Sequence, residues 1–150
     1  MFRTILVALD TSEHAAKTAK AACDLAHRFG ARLLILHIVA PIFEGRARYE
    51  LGKLAQIEHM ERTEYEILQQ AGRDLMRSVE ADARKQGIGE VEVIAEVGDP
   101  AGIIVSMARA RGADLIVLGR RGAGGLPGLL QGSVSQKVIQ LAEAPCLIVA

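Results

Sequence analysis

The chain has 150 residues, the size of one domain, and at that length about 68–70% of the unfolded surface is buried on folding, enough for one core. Eighteen basic residues balance eighteen acidic ones, so no net field draws in DNA, RNA or an anionic membrane, and a nucleic-acid role is disfavoured. Half of the residues are hydrophobic but only 3% are aromatic, leaving Ile, Leu, Val and Ala to fill the core, as in parallel sheets covered on both faces.

Residues 3–9 are apolar without alternation, which predicts a central strand, and Asp10-Thr11-Ser12 breaks it. Ser12 is placed to cap a helix in which Ala15, Ala19, Ala22, Leu25, Ala26 and Phe29 recur at helical spacing until Gly30 stops it. A second buried strand covers 33–39. Pro41, Gly45 and Gly52 interrupt a charged stretch, so 41–57 reads as a variable connection. Over 58–85 the stripe Leu68, Ala71, Leu75, Val79 and Ala83 predicts an amphipathic helix ended by Gly87. Residues 91–97 alternate with Glu92 and Glu96 and predict a strand with a wetter side, hence an edge. Asp99 is the expected N-cap of the next helix, with Pro100 in its first position and Gly112 closing it. A fourth strand over 114–118, a glycine-rich segment over 119–133, a helix over 133–142 and a strand over 145–149 complete the chain.

Alternating β and α elements imply an α/β fold: a five-stranded parallel, doubly wound sheet with helices on both faces, here as one nucleotide-binding domain spanning 1–150. Ligands of such sheets bind at the carboxyl ends of the strands, where the connections reverse direction, so the segments after Leu9, Val39 and Leu118 are the candidates. Cys23 and Cys146 fit neither a C-x-x-C nor a zinc spacing and read as small buried hydrophobes. The run from Ile5 to Leu9 is too short for a signal peptide, and no stretch approaches the roughly 20 apolar residues of a membrane span; a cytoplasmic location is expected.

The fourth strand runs into a loop containing Gly119, Arg120, Arg121 and Gly122, and the chain turns helical after Gly132 and Ser133. Without Cβ atoms Gly119 and Gly122 can take positive φ and bring backbone N–H groups close to an oxyanion, while Gly132 and Ser133 are expected to place free amides at a helix N-terminus. Arg120 and Arg121 can supply charge, and the Ser133 hydroxyl a donor. A glycine cluster alone does not separate a phosphate cradle from a flexible loop, but the spacing does. No Lys follows at P-loop spacing, and Pro127 occupies the place of the third dinucleotide glycine.

What fits is G-x-x-G, nine residues, then G-[ST], met by Gly119, Gly122, Gly132 and Ser133. Together with Ile5-Leu-Val-Ala-Leu-Asp10, Leu34-Ile-Leu-His37-Ile38, Gly98-x-Pro100, Ala113-Asp114 and Ala144-Pro-Cys-Leu-Ile-Val149, this pattern resembles the universal stress protein family over essentially the whole chain. The resemblance to its ATP-binding branch implies that Asp10 contacts the nucleoside and that the backbone at Ile38 contacts adenine. It places Leu9 and Leu118 at the strand ends beside the ligand, and Gly119, Arg120, Gly122, Gly132, Ser133, Val134 and Ser135 around the phosphates. Thr11 stands where the family often has Gly, and Arg121 where it often has His or another polar residue; neither blocks a phosphate. His37 is expected to pack in the sheet.

The expected cofactor is ATP. Asp10 can reach an accompanying Mg²⁺ through water, but a single carboxylate is a weak site. The loop offers only Arg and Ser, no competent base near neutral pH, so binding with slow or no hydrolysis is expected. Asp10-Thr11-Ser12 is not the Ser-Gly-Gly-x-Asp-Ser loop of adenine-nucleotide α-hydrolases. The short, apolar, uncharged strand at 145–149 invites pairing with a second copy. The expected protein is thus a stress-response regulator acting as a homodimer, the alternatives being a nucleotide-free dimeric scaffold or a nucleotide-hydrolysing enzyme of the same fold.

Overall fold

The computed structural model describes residues 1–39, 54–120 and 132–150, with side chains described over the same residues except 54–65. The elements are β1 (Thr4–Leu9), α1 (Ala15–Phe29), β2 (Arg32–Val39), α2 (Leu54–Lys85), β3 (Val91–Val97), α3 (Pro100–Arg111), β4 (Leu115–Gly119), α4 (Ser133–Leu141) and β5 (Cys146–Val149). They form a parallel five-stranded sheet in the order β3-β2-β1-β4-β5. This is the expected doubly wound α/β fold. From β1 the chain winds outward to β2 and β3, then crosses back to β4, so the connections reverse between β1 and β4.

Alternate strand residues feed two cores. Ile5, Val7, Leu33, Ile35, Leu115 and Val117 pack with α1 and α2, while Leu6, Leu34, Leu36, Ile116 and Leu118 pack with Ala101, Ile104 and Ala108 of α3 and Val138 of α4. Because both faces of β1, β2 and β4 are covered, their sequences carry no alternation. β3 is an edge, as its glutamates indicated. Glu92 there bridges Arg32 of β2 and Arg111 of α3, the latter at 2.5 Å, tying the edge strand to its neighbours.

The helix ends follow local chemistry. Asp99 accepts from the Gly102 N–H at 2.9 Å with Pro100 in the first turn, and Gly30 and Gly112 close α1 and α3 in the left-handed region at φ 62° and 64°, where a Cβ would be strained.

Several expectations are corrected. The N-cap of α1 is His14, without a side-chain cap bond; Ser12 contributes its carbonyl, which accepts from Ala15 N–H at 3.1 Å. α2 starts at Leu54, so 54–57 of the expected connection are helical, and 41–53 lie outside the described residues. The buried stripe of α2 is Gly72, Met76, Val79 and Ala83; Leu68 is 44% exposed and Ala71 faces out. Val79 and Ala83 of the expected stripe are buried and Leu75 packs against the same core, but one turn earlier it is Gly72, not Ala71, that approaches the sheet. Asp114 precedes β4, and its carboxylate accepts from the N–H groups of Arg3 and Thr4 at 2.9 and 3.1 Å, anchoring the start of β1. Cys23 is buried but Cys146 is only half-buried, since β5 is the other edge.

Candidate functional site

At the carboxyl end of β1, Leu9 is buried and Asp10 turns the chain by accepting the Ser12 N–H on Oδ1 at 3.0 Å. This Asx turn follows from a short carboxylate two residues before a free amide. Leu9 is in register with His37 of β2, so Asp10, just past β1, lies beside Ile38 near the end of β2. On the other flank Ala8 is in register with Leu118, which brings Gly119 beside Leu9. The sheet therefore gathers Leu9, Asp10, Ile38, Leu118 and Gly119 at one end, across the reversal point.

The loop base is pinned by backbone bonds. Arg120 N–H donates to the Val149 carbonyl at 2.8 Å, and Gly132 N–H donates to the Arg120 carbonyl at 2.7 Å. The two ends of the glycine segment are thereby held against β5 and against each other. Gly119 is extended as the last residue of β4, paired with Val149, rather than in a positive-φ turn. Gly132 is the N-cap of α4 at φ −71° and ψ 151°, and its amide, expected to be free, belongs to Arg120. Arg121, Gly122 and the rest of the loop to residue 131 lie outside the described residues.

Among the described residues, the amides of Ser133, Val134 and Ser135 have no acceptor. The first turn of a helix has no intrahelical acceptors for its N–H groups, and in α4 there is neither a side-chain cap nor an acidic residue in that turn. By contrast, the N-terminus of α3 is filled by Asp99. Ser135 is buried with its hydroxyl donating to the Gly132 carbonyl at 2.9 Å, so it shapes the turn and offers only its backbone N–H outward. Ser133 and Arg120 are exposed. An anion here meets oriented amides and a helix dipole worth roughly 0.3–1 kcal/mol per favourable charge.

Two cavities among the described residues lie away from this end. One of about 300 Å³ is lined by Arg3, His27, Arg32 and Glu90, and one of about 250 Å³ by Val105, Arg109, Ile116 and Glu143. Both open near the amino ends of strands, where helix C-termini point, so neither offers amides to an anion. Among the described residues no group of three or more His, Cys, Asp or Glu is arranged to hold a metal, and no described helix is long and apolar enough to cross a membrane.

Sequence reasoning placed His37 in the sheet, where it is 6% exposed, but missed what it touches. Its Nδ1 lies 3.0 Å from the Leu9 carbonyl and its ring packs on Gly72 of α2. Helical periodicity counts glycine as punctuation and gives no signal for that contact.

Comparison with known proteins identifies the family and the fold. The chain is 36% identical over 154 residues to the universal stress protein YxiE of Bacillus subtilis, covering 99% of both chains. It is 35% identical over 148 residues to the universal stress protein in the QAH/OAS sulfhydrylase 3′ region of Thermus aquaticus, covering 97% of this chain and 96% of that one. A crystal structure of a universal stress protein in complex with cAMP superposes with a TM-score of 0.70 at 25% identity, covering 99% of this chain and 97% of that one. The sequence model of the Universal stress protein family matches residues 1–150, and with relatives above 30% identity aligned end to end, the chain belongs to the universal stress protein family.

Proposed function

We propose that this protein holds an adenine nucleotide, ATP in the first place, at the carboxyl ends of β1, β2 and β4, and reports nucleotide status as a cytoplasmic stress-response homodimer with slow or no hydrolysis. The observation that carries the reading is the open N-terminus of α4 at the reversal point, with no acid in its first turn. Occupation of a related fold by cAMP supports an adenine nucleotide as the ligand class.

In this reading Asp10 takes the nucleoside and the Ile38 backbone faces adenine. The phosphates lie on the amides of Ser133, Val134 and Ser135, with Gly119, Arg120 and Gly132 at the loop base, and Arg121 and Gly122, outside the described residues, complete the cradle. Mg²⁺ brought by the ligand meets a carboxylate whose Oδ1 already accepts from Ser12, a weak hold for a hard cation. Fast hydrolysis needs a positioned base. The Ser135 hydroxyl already donates to Gly132, and Ser133 and Arg120 are not bases near neutral pH. For the dimer, the support is the edge strand β5 with Leu147 37% exposed, together with the exposed Ile139 at 45% and Leu141 at 58% on α4.

Mass spectrometry of small molecules released from the purified protein tests the ligand class, backed by ATP titration of wild type, Gly122→Val and Gly132→Val. The backbone of Gly132 suits any residue, so a loss of affinity in Gly132→Val reports bulk at the ligand rather than strain. Adenine nucleotide in the wild type and weakened binding in both variants are expected. Equal affinity in all three, or no binding by the wild type, overturns the reading.

A further inference from the structure

Between the two proposed nucleoside contacts stands a side chain the proposal does not yet use. His37 is 6% exposed, its Nδ1 lies 3.0 Å from the Leu9 carbonyl oxygen, and its Nε2 is buried with no hydrogen-bond partner among the described residues. A carbonyl only accepts, so Nδ1 carries the proton and Nε2 the lone pair. On the lone-pair side the backbone of α2 closes in at Gly72. A Cβ there would stand 2.6 Å from Cδ2 and 3.0 Å from Cε1 of the ring, and nearer still to Nε2. The ring is clamped between a strand carbonyl and a helix backbone.

We propose that His37 is a positioning residue for the nucleoside half of the site, a claim that rests on the nucleotide-binding reading above. The Leu9 carbonyl and the Asp10 N–H belong to one planar peptide unit, so a bond that holds the oxygen orients the first residue of the Asx turn and with it the Asp10 carboxylate. His37 also immediately precedes Ile38 in β2. One ring thereby cross-links the two strand ends that carry the nucleoside contacts, and α2, through Gly72, holds the ring. A mere core filler at this place would be aliphatic. Burying Nε2 without a partner carries a desolvation cost that a leucine would not incur, and the bond from Nδ1 to Leu9 is what the histidine provides in return.

The test separates the two ring nitrogens. In His37→Asn the amide nitrogen takes the place of Nδ1, in His37→Gln it takes the place of Nε2, and His37→Leu keeps bulk alone. Nitrogen NMR of the ligand-free wild type is expected to show the Nδ1–H tautomer, and the Asp10 amide resonance to stay near its wild-type position in His37→Asn but move in His37→Gln and His37→Leu. In ATP titrations Kd is expected to rise about tenfold in His37→Gln and His37→Leu, the factor one net hydrogen bond corresponds to, and to stay within about threefold in His37→Asn. Inorganic tripolyphosphate, which needs only the α4 half, is expected to bind all four proteins alike. An Nε2–H tautomer, equal ATP affinities, or parallel loss of tripolyphosphate overturns the proposal. If wild type binds no ATP, the nucleotide reading fails, while the tautomer and the Asp10 resonance still decide whether His37 orients this turn.

Discussion

Gly72→Ala sets two effects of opposite sign against each other. In an exposed helix interior the substitution stabilises by about 1 kcal/mol, because alanine loses less backbone freedom than glycine. Here the new Cβ falls 2.6 Å from Cδ2 of His37, about 1 Å inside an ordinary carbon–carbon contact, so the ring must shift by a comparable amount. A shift of that size also takes Nδ1 out of hydrogen-bond reach of Leu9. Overpacking costs about 1–3 kcal/mol and a buried carbonyl left without its donor about 1–3 kcal/mol, so after the propensity gain the net loss is about 1–5 kcal/mol, centred on about 3 kcal/mol. For a chain of this size that central value corresponds to a melting temperature lower by about 5–15 °C. Differential scanning calorimetry of wild type, Gly72→Ala, His37→Ala and the double variant measures it. In the His37→Ala background the ring atoms are gone and Gly72→Ala is expected to become neutral or stabilising, a coupling that additive sites do not show. An unchanged or raised melting temperature for Gly72→Ala alone, or the same penalty in both backgrounds, refutes the reasoning.

Asp114→Ala removes the acceptor for the Arg3 and Thr4 amides and is expected to cost about 1.5–3 kcal/mol in urea unfolding, most of it from half-buried Thr4; a loss under about 0.5 kcal/mol would show that water replaces the carboxylate fully. Asp99→Ala is expected to cost about 1 kcal/mol, and Asp99→Asn clearly less. Burial pushes the Cys23 thiol up to about 11, with Asp24 and Asp82 adding to the rise and Lys20 opposing it. The folded state thus resists ionisation that the unfolded chain undergoes from about pH 8.5. This contribution is present in full below that pH and is lost as pH rises towards 11, so the stability difference between wild type and Cys23→Ala is expected to shrink over that window in urea titrations; a constant difference contradicts it. Leu147→Glu on the β5 edge is expected to shift sedimentation from dimer to monomer, and an unchanged sedimentation coefficient rules out dimerisation through this edge.

Periodicity and punctuation in the chain were enough for the doubly wound α/β fold, because local chemistry sets them: continuous apolar runs for strands covered on both faces, Asp99-Pro100 to start α3, and Gly30 and Gly112 to end helices. The ordered glycines and Ser133 also pointed to the β4–α4 junction. Less legible were the contacts made between elements. That the Gly132 amide serves Arg120, that Ser135 turns its hydroxyl inward, and that Cys146 is half-exposed follow from how β4, α4 and β5 meet.

The sequence by itself determined which elements form, their order, and that a glycine-bearing segment joins the fourth strand to the last helix; each of these is encoded within a turn or two of chain. Only the tertiary structure decided that α2 approaches the sheet at Gly72, that His37 gives its Nδ1 donor to Leu9, and that Asp10 and Ile38 lie side by side. Those facts depend on register and close approach between segments distant in the chain, where a difference of about 1 Å decides between a hydrogen bond and a clash.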